Sequence, residues 1–195
     1  MRRLLSVMVG AAVLLGGARL AASATYAIDP QHSTVSFKIR HLFSKVEGTF
    51  NAFEGTVDFV PGQPDQWRAA AVIQTGSIDT RVEQRDTHLR SADFFDAAQF
   101  PTITFTSTGV TGATDTSAVL RGRLSLHGVE HPVELQVTIL GEGKDPWGNQ
   151  RAGFTATTRI ARTDFGITWN KALESGGVLL GDEVDITLDI SGIVK

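Results

Sequence analysis

Apolar and polar residues alternate with a period of two along most of this 195-residue chain, and that periodicity limits the folds open to it. Val35, Phe37, Ile39 and His41 share one parity, while Ser36, Lys38 and Arg40 share the other. An extended strand of this sequence has one apolar face and one wet face. The same alternation predicts further strands over 46–53, 55–60, 69–78, 102–108, 118–126, 132–140, 151–161 and 184–193. Turn-forming pieces separate them, among them Pro61-Gly62-Gln63-Pro64, residues 112–117 and Asp145-Pro146-Trp147-Gly148-Asn149. Helical spacing occurs from about Val82 to Ser91, with a further short turn or helix around Asp93 to Gln99 that Pro101 ends.

Many strands and one short capping helix predict an all-β fold, either a closed up-and-down barrel or a two-sheet sandwich. Alternation alone does not separate the two. A barrel of about eight strands has an interior that side chains fill, or that holds one slender ligand. The large apolar residues available for it are Phe37, Ile39, Phe50, Phe59, Phe105, Leu124, Leu135 and Phe154, with Leu188 beside them. The pattern leaves open whether these pack against one another or line a cavity.

Residues 1–24 read as a cleavable export signal, leaving 25–195 as a single domain. Arg2 and Arg3 form a charged start, Leu4 to Ala18 an apolar run shorter than a membrane span, and Ala22-Ser23-Ala24 a small-x-small cleavage site. Export places the mature chain in a bacterial-type periplasm, where ATP and nicotinamide cofactors are not routine substrates. No Cys is present, which removes thiolate nucleophiles, thiolate metal sites and redox pairs. The formal charge is −3, and loss of Arg2, Arg3 and Arg19 makes it more acidic. Without a basic run, neither nucleic acid nor an anionic membrane is expected as the main partner, and a membrane enters only as a lipid source. Glu174-Ser175-Gly176-Gly177 precedes an apolar run and is no phosphate loop.

The five His and their neighbours offer few candidates for chemistry. Arg85, Asp86 and His88 combine a cation, an acid and an imidazole that could hold a phosphate or quinone head group; the alternative is a helix-surface ion network. His41 shares the inward parity of Phe37 and Ile39, as a polar contact at the barrel mouth or a hydrogen-bonded core residue. His32 and His41 lie too far apart along one strand to chelate a metal, and His127 and His131 flank a turn, so no metal site and no cofactor are expected. A hydrolytic triad would have to assemble Ser33 or Ser107 with His88 and Asp86 from separate elements, and no Gly-x-Ser-x-Gly elbow exists. No catalytic residue is therefore assigned.

Specific blocks run along nearly the whole mature chain: Tyr26-Ala27-Ile28-Asp29-Pro30-Gln31-His32-Ser33, Gly48-Thr49-Phe50, Ser77-Ile78-Asp79-Thr80, Arg85-Asp86-Thr87-His88-Leu89 and Asp93-Phe94-Phe95-Asp96. Phe100-Pro101-Thr102-Ile103-Thr104-Phe105, Gly122-Arg123-Leu124-Ser125-Leu126-His127-Gly128, Arg162-Thr163-Asp164-Phe165-Gly166 and Gly181-Asp182-Glu183-Val184 follow in order. In these blocks the chain resembles the periplasmic YceI-like proteins. The resemblance implies a lipocalin-like antiparallel barrel with a hydrophobic tunnel for a long isoprenoid or other lipid chain. Such a ligand needs little charge from the protein: at about 0.8 kcal/mol per methylene, ~15 carbons give roughly 12 kcal/mol before ordering costs.

The expected function is thus carriage or storage of an isoprenoid-type chain, a polyprenyl phosphate or an isoprenoid quinone. The eight apolar residues would line the tunnel, with His41, Arg85 and His88 near the head group. The alternatives are a structural or stress-response partner protein with a filled barrel, and a lipid-acting enzyme. A homodimer paired at the barrel edge or tunnel mouth is compatible with the sequence.

Overall fold

Alternation in sequence becomes alternation in space. Along the strand Val129–Lys144, residues on the inward parity are at least half-buried as far as Ile139, while Glu130, Pro132, Glu134, Gln136 and Thr138 between them are exposed. The computed structural model describes residues 24–174 and 176–195. The expected export segment, apart from Ala24, lies outside the described residues.

Eleven strands form one sheet. They are β1 (Ala24–Ile28), β2 (Thr34–His41), β3 (Ser44–Phe50), β4 (Phe53–Phe59), β5 (Arg68–Gln74), β6 (Ile78–Asp79), β7 (Thr102–Thr111), β8 (Ser117–Leu126), β9 (Val129–Lys144), β10 (Gln150–Ala161) and β11 (Leu180–Val194). Helix α1 (Glu83–Arg90) lies between β6 and β7. Register shows that the first six strands are three interrupted lines. β11 pairs with β2 through Leu180↔His41 to Asp189↔Thr34, then with β1 through Gly192↔Ile28 to Val194↔Tyr26. The line β1–β2 pairs with β3–β4, and that line with β5–β6. β5 then pairs with β7, and the meander returns through β8, β9 and β10 to β11. The result is a closed antiparallel barrel of eight lines, so the sandwich alternative is excluded.

Two predicted strands differ from what folds. The run 46–53 breaks at Asn51-Ala52, and 69–78 breaks at a 3-10 turn over Thr75–Ser77. Polar groups hold both breaks: Ser77 Oγ accepts from the Ala52 N–H at 3.0 Å, and the Thr75 hydroxyl donates to the Phe100 carbonyl at 2.6 Å. Residues 93–99 form hydrogen-bonded turns and no helix. Strand β1, paired with β4 on one side and β11 on the other, is not marked by the sequence, because its five residues are too few to show a period.

The two barrel ends close differently. At one end Tyr26, Phe59, Trp67 and Phe154 form an apolar plug, with Phe59 and Trp67 ring centroids 4.9 Å apart and Phe59 and Phe154 5.2 Å apart. At the other, α1 and residues 162–180 lie over the strand ends. Arg162, 4% exposed, ties this second segment down. Its guanidinium donates to the carbonyls of Gly181, Ile167 and Trp169 at 2.8–3.0 Å and to Asp182 at 3.1 Å.

Beside the plug, Asp29, Asp145 and Arg151 form a clasp across β1, β10 and the β9–β10 turn. Asn149 Nδ2 at 2.9 Å, Arg151 Nε at 3.0 Å and two backbone N–H groups hold the Asp145 carboxyl down to about 2. Arg151 Nη1, 2.8 Å away, likewise depresses Asp29. A carboxylate with a depressed folded value stabilises fully above its ordinary value of 3.8 and stops doing so as pH falls through the folded value. Thermal unfolding should therefore show no change from this clasp above pH ~5 and a falling Tm from about pH 4 towards 2. Asp145→Asn should lower Tm at neutral pH and flatten that acid limb; an unchanged limb would remove the clasp from the acid response. Arg162→Ala, which strands three carbonyls, should cost about 3 kcal/mol in urea unfolding.

Candidate functional site

The barrel is hollow. A cavity of about 730 Å³ runs inside it from Phe59 and Trp67 at the plugged end to Val82, Arg85 and Trp169 at the other. The alternative of a lumen filled by the protein's own side chains is therefore overturned. Burial shows the same thing: inward-facing Phe37, Ile39, Leu124, Val137, Ile186 and Leu188 remain only half-buried, because they face open space. Residues of equal parity near the two ends, such as Val35, Phe50, Leu126 and Phe154, are buried.

Two features of the sequence keep the middle open. Small inward residues alternate with large ones, and Ala69, Ala71, Ala118 and Ala156 all line the cavity. Two large rings also lie against glycines of the neighbouring strand. A Cβ at Gly48 would come within 2.5 Å of the Phe37 ring, and one at Gly122 would overlap the Phe105 ring. With no side chain beneath them, both rings rest on the barrel wall. Phe37, Ile39, Phe50, Phe59, Phe105, Leu124, Leu135 and Phe154 all line this cavity, as do His41, Arg85 and His88.

The opening lies where lining residues reach the surface, between the start of α1 and the β2–β3 turn. Val82 and Gln84 are exposed there, and Arg85, His41 and Leu179 half-buried. The adjacent pair Arg85-Asp86 is brought together by Thr80. Asp86, 4% exposed, accepts from the Thr80 N–H at 2.9 Å and its hydroxyl at 2.5 Å. Arg85 donates to the Thr80 hydroxyl and carbonyl at 2.6 and 2.8 Å. Arg81, between these elements, holds a left-handed φ of 66°, fixed by its N–H bond to Asp79 at 2.7 Å. Among the described residues Arg85 has no carboxylate partner, and its Nη1 makes no hydrogen bond. Arg85 and Asp86 thus form a clamp on Thr80 that leaves part of a guanidinium free at the mouth, while the helix-surface ion pairs are those of Arg90 with Glu83 and His88 with Asp93.

His88 has two faces. Its Nε2 lies 2.8 Å from Asp93 Oδ2, while its ring stands edge-on to Trp169 and Phe94 at centroid distances of 4.9 and 5.0 Å. It packs the rim, and the Asp93 pairing turns one ring nitrogen away from the lumen. The ring of His41 has no hydrogen-bond partner among the described residues. Leu89 and Phe94 also line the cavity and are not marked by the sequence, since one sits on a single short helix and the other in hydrogen-bonded turns, where no strand period can be read. Trp169, on the loop before the last strand, is part of the same lining.

The groups considered for hydrolysis are occupied separately. Ser33 bonds to the Ser191 backbone, Ser107 accepts from the Ala69 N–H, and Asp86 is committed to Thr80. His127 and His131 lie against the Phe165 and Asp164 carbonyls. Among the described residues no cluster of three or more His, Asp or Glu side chains could hold a metal. None of the described helices is long and apolar enough to cross a membrane.

Known proteins match this chain over most of its length, and solved structures share its fold. A UPF0312 protein of Azotobacter vinelandii is 40% identical over 98% of this chain and 97% of its own length. One from Shewanella baltica is 38% identical over 100% of this chain and 99% of its own. Among solved structures, BcnA of Burkholderia cenocepacia superimposes with a TM-score of 0.75 at 24% identity, covering 84% of this chain and 98% of that one. The YCEI protein of Campylobacter jejuni gives 0.70 at 26% identity, covering 80% and 90%. A polyisoprenoid-binding domain from Saccharophagus degradans gives 0.67 at 15% identity, covering 89% and 100%. The model of the YceI-like domain matches residues 26–192, and with nearly the whole barrel inside that match the chain belongs to the YceI-like family.

Proposed function

We propose that the protein is an exported carrier or store for a long isoprenoid-type chain, held in the barrel with its head group at the α1 mouth. The observation that carries this reading is the open apolar lumen of about 730 Å³ inside a closed barrel. At roughly 30 Å³ per carbon-sized group the lumen takes on the order of two dozen carbons. That is enough for a chain of four or five isoprene units, and a longer one leaves its remainder outside. Burying such a chain gives roughly 0.8 kcal/mol per methylene, which exceeds the cost of immobilising it. The Saccharophagus domain of the same fold, described as polyisoprenoid-binding, supports this ligand class. Residues 1–24 fit removal on export, and the mature chain then acts in the periplasm.

The lining residues hold the chain by apolar contact alone. Among the described residues Arg85 is the lining cation at the mouth with a free donor, so it selects among head groups: a phosphate or diphosphate gains charge-assisted hydrogen bonds there, and a quinone does not. His41 adds a second unpartnered polar group on the same rim.

Native mass spectrometry of the mature protein incubated with geranylgeraniol should show one bound molecule, and an empty protein would overturn the carrier reading. Ala156→Phe places a ring in the middle of the lumen and should lower affinity about tenfold or more, with the circular dichroism spectrum preserved. Unchanged affinity would remove β10 from the lining. Arg85→Ala should weaken geranylgeranyl diphosphate by about 1.5–3 kcal/mol and leave an isoprenoid quinone unaffected. Equal loss for both would take Arg85 out of the head-group site.

A further inference from the structure

We infer that the mouth end of the barrel docks on an anionic lipid bilayer through the rim formed by Phe43, Val82 and Val178. This rests on the proposed carrier function and assigns the surface through which the ligand enters. Phe43, at the tip of the β2–β3 turn, is 101% exposed, so its ring touches almost nothing of the protein. Val82 at the start of α1 and Val178 before β11 are 46% and 41% exposed. The three come from separate elements that converge on one opening. The Leu42 N–H donates to the Leu179 carbonyl at 2.9 Å, joining the β2–β3 turn to the segment that carries Val178, while Val82 lines the opening itself.

Charge around this rim favours a lipid surface as the occupant. Arg40, Arg81 and Lys171 are exposed and form no ion pair among the described residues, although the whole chain carries −3. Arg40 lies three residues before Phe43, Arg81 precedes Val82, and Lys171 precedes Ala172, the bridge partner of Val178, while Lys45 is paired with Asp185 and Glu83 with Arg90. Each cation held near an anionic surface contributes about fivefold in partition. Continuity with the lumen supplies the second argument. A chain moving from a bilayer into a detached protein would expose its methylenes to water, and each one exposed slows transfer by roughly fourfold. A rim seated in the interface joins the hydrocarbon layer to the apolar lumen and removes that step. Chains longer than the lumen keep their remainder in the bilayer.

The opposite end supplies a control, since Trp147 is 82% exposed in the β9–β10 turn, far from the opening. The test is flotation of the mature protein with vesicles of phosphatidylethanolamine and phosphatidylglycerol. The rate of geranylgeraniol transfer from those vesicles is measured alongside equilibrium binding of geranylgeraniol delivered from ethanol. The parent and Trp147→Ser should float, and Phe43→Asp should float and transfer at least tenfold less. All three should bind the ethanol-delivered alcohol equally. Docking is overturned if the parent does not float, if Phe43→Asp behaves as the parent, or if Trp147→Ser is the defective variant. It is also overturned if size exclusion shows a dimer that Phe43→Asp splits, since a second copy then covers the rim. Absence of ethanol-delivered binding in the parent would instead sink the carrier reading, whatever the flotation result.

Discussion

The cavity exists because the fifteen-residue strand β11 pairs along one edge with β10 and along the other with two strands in succession. β2 occupies the first part of that edge and β1 the last. Between them, residues 29–33 leave the sheet and are tied back by the Asp29 N–H bond to the Ser191 carbonyl and by the Ser33 hydroxyl. Closure leaves no free edge for most of the barrel wall and fixes which parity of every strand faces inward. Once that parity is fixed, apolar residues from all eight lines converge on one lumen.

What happens inside depends on volume. Eight lines are near the size at which side chains alone fill a barrel, so an open lumen requires less side-chain volume at its middle. The alanines and the two rings lying on Gly48 and Gly122 supply that reduction. The ends are closed by buried side chains instead, with Tyr26, Phe59, Trp67 and Phe154 on one side and Phe50, Phe94, Phe165 and Ile167 on the other. Stability resides largely in those two clusters, and the space between them is free to accept a ligand. The opening falls where the packing is handed from strands to irregular segments.

Those irregular segments carry the polar chemistry. Thr80 holds Arg85 and Asp86, Arg162 holds the backbone of residues 167–181, and His88 bridges the two segments through Trp169. A buried arginine that satisfies carbonyls is the price of building a rim from non-periodic backbone. That rim places a free guanidinium edge, an unpartnered imidazole and exposed apolar side chains around one mouth.

Period two in the sequence determined the strands, their inward faces and the all-β class, because side-chain direction along an extended chain is set locally. It placed Phe37, Ile39, Phe50, Phe59, Phe105, Leu124, Leu135 and Phe154 on the lumen side, as the structure does. The blocks around Arg85, Arg162 and His127 carried the family. Closure was beyond the reach of the period and came only through the family resemblance, since it depends on Tyr26 meeting Val194 across the length of the chain. So was the openness of the lumen. A phenylalanine that fills a barrel and one that lies on its wall have the same parity, and only the glycine on the neighbouring strand decides between them. How the mouth is assembled was not legible for a related reason: Thr80, Phe94 and Trp169 meet the short helix that carries His88 through irregular backbone, where no repeat relates sequence position to direction.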